Sequence, residues 1–260
     1  YTYYYKNNGL QAQSVLYRTD KSGKTEVFLD PNKFSEKGTT SLSGVSFNKK
    51  GNLVAYSISE GGSDWNKIII MDVETKKILD EPVVSKFSGA SWKGEEGFFY
   101  SKYDQPKEGS VLSGMTDTHK VYFHKLGTSP TKDELIIGGE DFKRRYMGIG
   151  VSDDERYLIL SASNATNGNE LYIQDLQNKT AFIPVQLGYD YNTDVVETIG
   201  NTIYVTTDKN APNQKLQKFD INNPKIWTDV IPETENVLSI STGGGFLFAK
   251  YMKDAVSMVQ

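Results

Sequence analysis

The sequence predicts an all-β fold, a β-propeller built from four-stranded antiparallel blades. Two observations carry this. Short runs rich in β-branched and aromatic residues, among them "NLVAYSIS", "NKIIIMDV", "GFFYSKY", "KVYFHKL", "RYLILSAS" and "NTIYVTTD", are mostly bounded by Gly, Asn, Asp or Ser, and no segment keeps a helical period over three turns. The pattern also repeats. Counted from Val45, Ala90, Ile149 and Val195, the spacings are 45, 59 and 46 residues, against about 40–50 for a four-stranded blade. A β-sandwich would use similar strands but predicts no repeat of this length.

The units follow in order. "SVLYRTDKSGKTEVFL" opens the chain as a partial unit. "GVSFNKKGNLVAYSISEGGSDWNKIIIMDVETKKIL" reads as a short strand, a polar turn, a long strand, a loop, a strand ending in Asp-Val, a tight turn and a last strand. The third unit runs from "GASWKGEEGFFYSKY" to "HKVYFHKLGTSPTKDELII", and one insertion, at 103–118, accounts for its longer spacing. Two full units follow, at "GIGVSDDERYLILSASNATNGNELYIQDLQNKTAFIPV" and "VVETIGNTIYVTTDKNAPNQKLQKFDINNPKIW". "VLSISTGGGFLFAKYMKDAVSMVQ" supplies three strands and no fourth. The expectation is five to six blades, part of a larger ring, because an open ring leaves apolar faces and strand edges uncovered.

Composition narrows the function. The 260 residues carry 29 basic and 33 acidic side chains, a net charge of -4, which argues against a nucleic-acid surface. "KRRY" at 143–146 is the densest basic spot and reads as a solvated loop. No long apolar run suggests a membrane helix, and "YTYYYKNNGL" has none of the regions of a signal peptide. A cytoplasmic or periplasmic location is expected. Without cysteine there is no disulfide, thiol nucleophile or thiolate metal site.

Topology identifies one face of the disc. If strands a to d run outward from the axis and alternate in direction, loops entering strand a and loops joining b to c lie on the same side. The 103–118 insertion and "EGGSDW", with Asp64 and Trp65, are b–c loops. "SKFSG", with Phe87, and "RRYMG", with Met147, enter strand a of successive blades. Function gathers in such loops on a rigid scaffold. Core packing between blades is the commoner role for an aromatic residue or a Met, and an Asp before a strand often bonds its own turn. Trp65 and Trp92 read as inter-blade packing.

The two histidines, His119 and His124, lie on or beside one strand. Five residues apart, they point to opposite sides, so joint metal binding is not expected and a structural role is. No Gly-x-Ser-x-Gly segment is present; "GVSFN" and "GASWK" lack the closing glycine. The acids of "SDDERY" fall in an a–b turn on the opposite face and read as turn formers, not a glycosidase pair.

"YYYKNNGLQAQSVLY", "VFLDPNKFS", "GTTSLSGVSFNKKGNLVAYSISEGGSDW", "KFSGASW", "HKVYFHKLGT" and "YMGIGVSDDERYLILS" together resemble the N-terminal propeller of the prolyl oligopeptidase family. The similarity runs from the first residue to about 175 and continues more weakly in the same blade order. The resemblance implies that 1–260 is part of a seven-bladed propeller domain. It implies a parent serine endopeptidase that cleaves short peptides after proline and needs no cofactor. The catalytic α/β-hydrolase domain, built from segments before and after the propeller, would be its partner, and the propeller would cover the active site and exclude folded proteins. No catalytic residue is then expected within 1–260. By resemblance, Phe87 and Met147 line the substrate pocket, other pocket positions fall near Ser163 and Thr166, and Asp64 faces the hydrolase domain and an Arg there. The loop before His119 resembles one at the domain interface. The alternative is a stand-alone propeller binding peptides or proteins, although the Trp-Asp repeat signature is absent. A five-bladed glycosidase would need carboxylates converging on the axis, and none stand out.

Overall fold

The computed structural model describes residues 1–104 and 117–259. The 103–118 insertion therefore falls mostly outside the described residues, as does its expected place at a domain interface. Six antiparallel meanders follow one another along the chain, the blades of a β-propeller. The first has three strands, β1 (Thr2–Lys6), β2 (Val15–Thr19) and β3 (Thr25–Leu29). The second is β4 (Thr40–Phe47), β5 (Leu53–Glu60), β6 (Trp65–Asp72) and β7 (Val83–Lys86). The third is β8 (Ser91–Lys93), β9 (Gly97–Lys102), β10 (Lys120–Lys125) and β11 (Glu134–Gly138). The fourth is β12 (Tyr146–Val151), β13 (Tyr157–Ser163), β14 (Glu170–Asp175) and β15 (Ile183–Gln186). The fifth is β16 (Thr193–Ile199), β17 (Thr202–Thr207), β18 (Lys215–Asp220) and β19 (Asn223–Ile231), and the last is β20 (Val237–Gly243), β21 (Phe246–Lys253) and β22 (Val256–Val259). Among the described residues helix is confined to 3-10 turns such as Pro31–Lys33, where the Asp30 carboxylate accepts from the Asn32 amide.

Side-chain alternation explains why the middle strands read as continuous apolar runs. On β5, Leu53 and Ala55 join one cluster while Val54 and Tyr56 join another. On β6, Ile68 and Ile70 face the first cluster and Met71 the second. Both faces of this sheet are therefore buried, one against Leu16 and Phe28 of the first sheet, the other against Trp92, Phe98 and Tyr100 of the third. Ile68 and Ile70 are 0% exposed, so truncating either to Ala would cost about 2–5 kcal/mol. Edge strands tolerate proline, and Pro184 and Pro224 sit on the outermost strands β15 and β19.

The chain divides into two compact units, Tyr1–Lys102 with Tyr122–Glu134, and Tyr103–Val121 with Leu135–Gln260. The clusters just described build the first. In the second, Tyr157, Leu171 and Ile173 pack against Ile203, Val205 and Phe219, and Leu216 packs with Leu238 and Ala249.

One strand differs from expectation. The second unit was expected to finish its fourth strand within "ETKKIL". There Ile78 makes only an isolated bridge to Met71, and the fourth strand is β7, five residues further on. The tight turn itself falls where expected, the Asp72 carboxylate accepting from both the amide and the hydroxyl of Thr75, and the Leu79 amide donates to the Ile70 carbonyl before the regular ladder resumes at β7.

Candidate functional site

In the first unit, Phe87 lies in the connection from β7 to β8 and so enters an innermost strand, as expected. It is 50% exposed and has φ +56°. A bulky residue in the left-handed region costs about 1–2 kcal/mol, because Cβ crowds the following carbonyl oxygen. Strain of this kind persists where surrounding structure holds it, commonly at ligand contacts. The Lys86 ammonium lies 5.2 Å from the Phe87 ring centroid and 5.3 Å from that of Trp65. Register produces this, since Trp65 pairs directly with Lys86 across β6 and β7.

Asp64 lies just before β6 in the connection from β5, and its side chain is exposed. Its carboxylate does not bond the turn amides. Ser63 takes that task, its hydroxyl accepting from the Trp65 amide, and the Asn66 side chain donates to the Asp64 carbonyl oxygen. Among the described residues the Asp64 carboxylate has no partner.

In the second unit Met147 is the second residue of β12 and only 1% exposed. It packs with Val121 and Leu160, and its amide donates to Nδ1 of His119 over 2.9 Å. The His119 ring stacks on Tyr103 at 4.3 Å, and burial, then the neighbouring Tyr146, pushes the Tyr103 hydroxyl up to about 12. The segment leading to Met147 is anchored by Arg145, whose Nε donates to the Tyr189 hydroxyl at 2.5 Å and lies 3.2 Å from buried Glu170. Tyr172 also donates to Glu170, and burial, followed by that charge, raises its hydroxyl to about 12. Ser163 pairs with Tyr146 across β12 and β13, and Thr166 is exposed in the next connection.

Both histidines are packed into the scaffold. His124 has no exposed side-chain surface. Its Nδ1 is 2.8 Å from Asp133, and its Nε2, without a hydrogen bond among the described residues, is 3.7 Å from Asp80. Tyr100 donates to the other Asp133 oxygen at 2.8 Å, and burial, then that carboxylate, pushes its hydroxyl well above its usual range. In "SDDERY", Asp154 accepts from the Ser152 hydroxyl and the Arg156 amide, the work of a turn former.

Sequence reasoning missed Lys86. Its signal was available, because it adjoins Phe87, but the pairing with Trp65 needed the correct position of β7. Arg145, read within 143–146 as part of a solvated loop, is instead mostly buried against Glu170, a partner 25 residues away in sequence that only the fold brings to it.

Residues 1–260 match the family described as prolyl oligopeptidase, N-terminal beta-propeller domain. The chain is 70% identical to a prolyl endopeptidase of Elizabethkingia meningoseptica over all of its own length and 37% of that protein. It is 30% identical to prolyl oligopeptidase A of Galerina marginata, over 92% of the chain and 37% of the relative. It thus spans little more than a third of the length of these relatives. A solved prolyl endopeptidase structure superposes with a TM-score of 0.88 at 28% identity, over 99% of this chain and 38% of that one. Prolyl oligopeptidase B of Galerina marginata bound to a 25mer superposes at 0.90 with 24% identity, over 99% and 40%, a likeness of fold. From matched sequence along its whole length and a shared fold, the chain belongs to the prolyl oligopeptidase N-terminal β-propeller family.

Proposed function

We propose that this chain is the gating propeller of a serine endopeptidase that cleaves short peptides after proline, with an α/β-hydrolase domain of the same protein as its partner. The observation that carries the reading is Phe87, an aromatic ring held half-exposed in a costly left-handed conformation where the chain enters an innermost strand. A residue serving only as core would be buried and unstrained. Phe87 is the group offered to a peptide side chain. Met147, sealed against Val121 and Leu160, fixes the start of β12 beside Ser163. Asp64 presents a carboxylate suited to a guanidinium of the hydrolase domain. The names of the relatives support the peptidase assignment.

The test is an assay of the full-length protein on matched substrates, a short proline-containing peptide and the same sequence displayed within a folded protein. Cleavage after proline in the peptide alone, abolished by a serine-hydrolase inhibitor, is the expected result. Equal cleavage of both would remove the gating role, and no cleavage of either would remove the peptidase reading.

A further inference from the structure

A cavity of about 440 Å³ lies in the second unit between the outer strands of the fourth and fifth sheets. Its walls include Lys209, Lys215 and Lys225 with Tyr191 and Trp227, and among the described residues no carboxylate lines it. In a chain of net charge -4 that is a concentrated positive surface. Lys215 has a counter-charge in Asp229, 4.0 Å away, which also accepts from the Gln217 side-chain amide at 2.7 Å. Lys209 sits 4.8 Å above the Tyr191 ring, and Lys225 has no ion-pair partner among the described residues. The aromatic wall is fixed. Trp227 stacks on Phe219 at 5.2 Å, and its ring N–H donates to the Pro224 carbonyl.

The charges are spread along a strand. Lys215 is the first residue of β18 and Lys209 lies in the connection before it, whereas Lys225 lies on β19 between Asn223, which pairs with Asp220 at the far end of β18, and Thr228, which pairs with Lys218. Lys225 therefore stands opposite the stretch between Lys218 and Asp220, roughly four residues and on the order of 13 Å along the strand from Lys215. A single small anion would meet one end only. An extended peptide has the same rise per residue, so its acidic side chains could meet both ends while apolar ones lie on Trp227 and Leu187.

We propose that this groove docks an extended acidic peptide segment of a partner protein. The proposal stands apart from the peptidase reading above. Its test uses the full-length protein and a fluorescent, proline-free acidic octapeptide containing one aromatic residue. Binding is followed by anisotropy in low salt and in 0.5 M salt as an experimental condition on the order of a 4–5 Å screening length. Lys209→Glu with Lys225→Glu changes two exposed side chains outside the proposed substrate pocket. The expected result is about a tenfold loss of affinity in the variant and a similar loss in high salt, with no binding of a lysine-containing counterpart. Equal affinity of the two proteins would overturn the proposal. So would variant-sensitive binding of a sulfated glycan or inorganic phosphate without binding of the peptide. A short neutral proline peptide separates the two readings. If both proteins cut it equally while the acidic peptide fails to bind, only the docking groove falls. If neither protein cuts it, the peptidase reading falls, and anisotropy still decides whether the groove binds acidic peptides.

Discussion

His119 accepts a hydrogen bond from the backbone amide of Met147, across 28 residues of sequence and 2.9 Å of space. Nδ1 must be unprotonated to accept, so the neutral ring carries its proton on Nε2. His119 is 1% exposed. Its replacement by Ala would strand a buried N–H and leave a void beside Tyr103, a combined cost of about 2–4 kcal/mol. His119→Asn can place an oxygen near the lost nitrogen and should cost clearly less. Denaturant titration of the two variants checks this, and equal losses would mean that the bond contributes little.

The blade repeat was legible because both faces of each middle strand are buried, which leaves Leu53 to Tyr56 and Ile68 to Met71 as apolar runs that periodicity detects. The connections carrying Asp64 and Phe87 follow from strand order alone. The conformation of Phe87 was not legible, since nothing in "SKFSG" marks a bulky residue for the left-handed region. Nor was the burial of Met147, which depends on Val121 and His119 arriving from another sheet. The end of β6 and its tight turn were legible in the Asp-Val that closes the strand, but the position of β7 was not.

Phe87 gives a prediction with two readouts. Phe87→Ala in the full-length protein should reduce discrimination among peptides varied two positions before the proline by about 1–3 kcal/mol, with less effect on the chemical step. Phe87→Gly should lose the same discrimination yet be more stable than Phe87→Ala by about 1 kcal/mol, because glycine carries no left-handed penalty. Wild-type kinetics on every peptide in both variants would return Phe87 to a packing role.

Asp64→Ala should leave the stability of the propeller within about 0.5 kcal/mol of wild type, since its exposed carboxylate bonds nothing among the described residues. In the full-length protein the same change should loosen the contact between domains and raise the rate of proteolytic nicking at their junction. Unchanged nicking would remove Asp64 from the interface.

Two glycines with similar backbone angles should respond very differently. Gly168 has φ +77°, and a Cβ there would stand 1.9 Å from the Tyr189 carbonyl oxygen. Gly188 has φ +84° with nothing within 4 Å. Gly188→Ala should cost about 1 kcal/mol, the left-handed penalty alone. Gly168→Ala must also push backbone away from backbone, and should cost more than about 3 kcal/mol or prevent folding. Thermal melts of the pair decide, and matching values would mean that the 189 segment yields freely.

Asp175 sets an acid limit on stability. Its carboxylate accepts from the Asn178 amide at 2.8 Å, the Asn178 side chain at 2.9 Å and the Arg156 guanidinium at 2.9 Å. Burial alone would raise its pKa, but these donors outweigh it and hold the carboxyl below its ordinary value. The folded state therefore binds its proton at lower pH than the unfolded state does. The unfolded chain holds more protons between the two values, so stability rises with pH across that window. The contribution is complete above the ordinary Asp value, about 3.9, and disappears as pH falls through the folded one. Asp175→Asn should cost about 1.5–3 kcal/mol at neutral pH, the worth of hydrogen bonds to a charged group. It should also flatten the decline in unfolding free energy below about pH 5. Denaturant titrations at successive pH values check both, and parallel curves for wild type and variant would show that the acid sensitivity arises elsewhere.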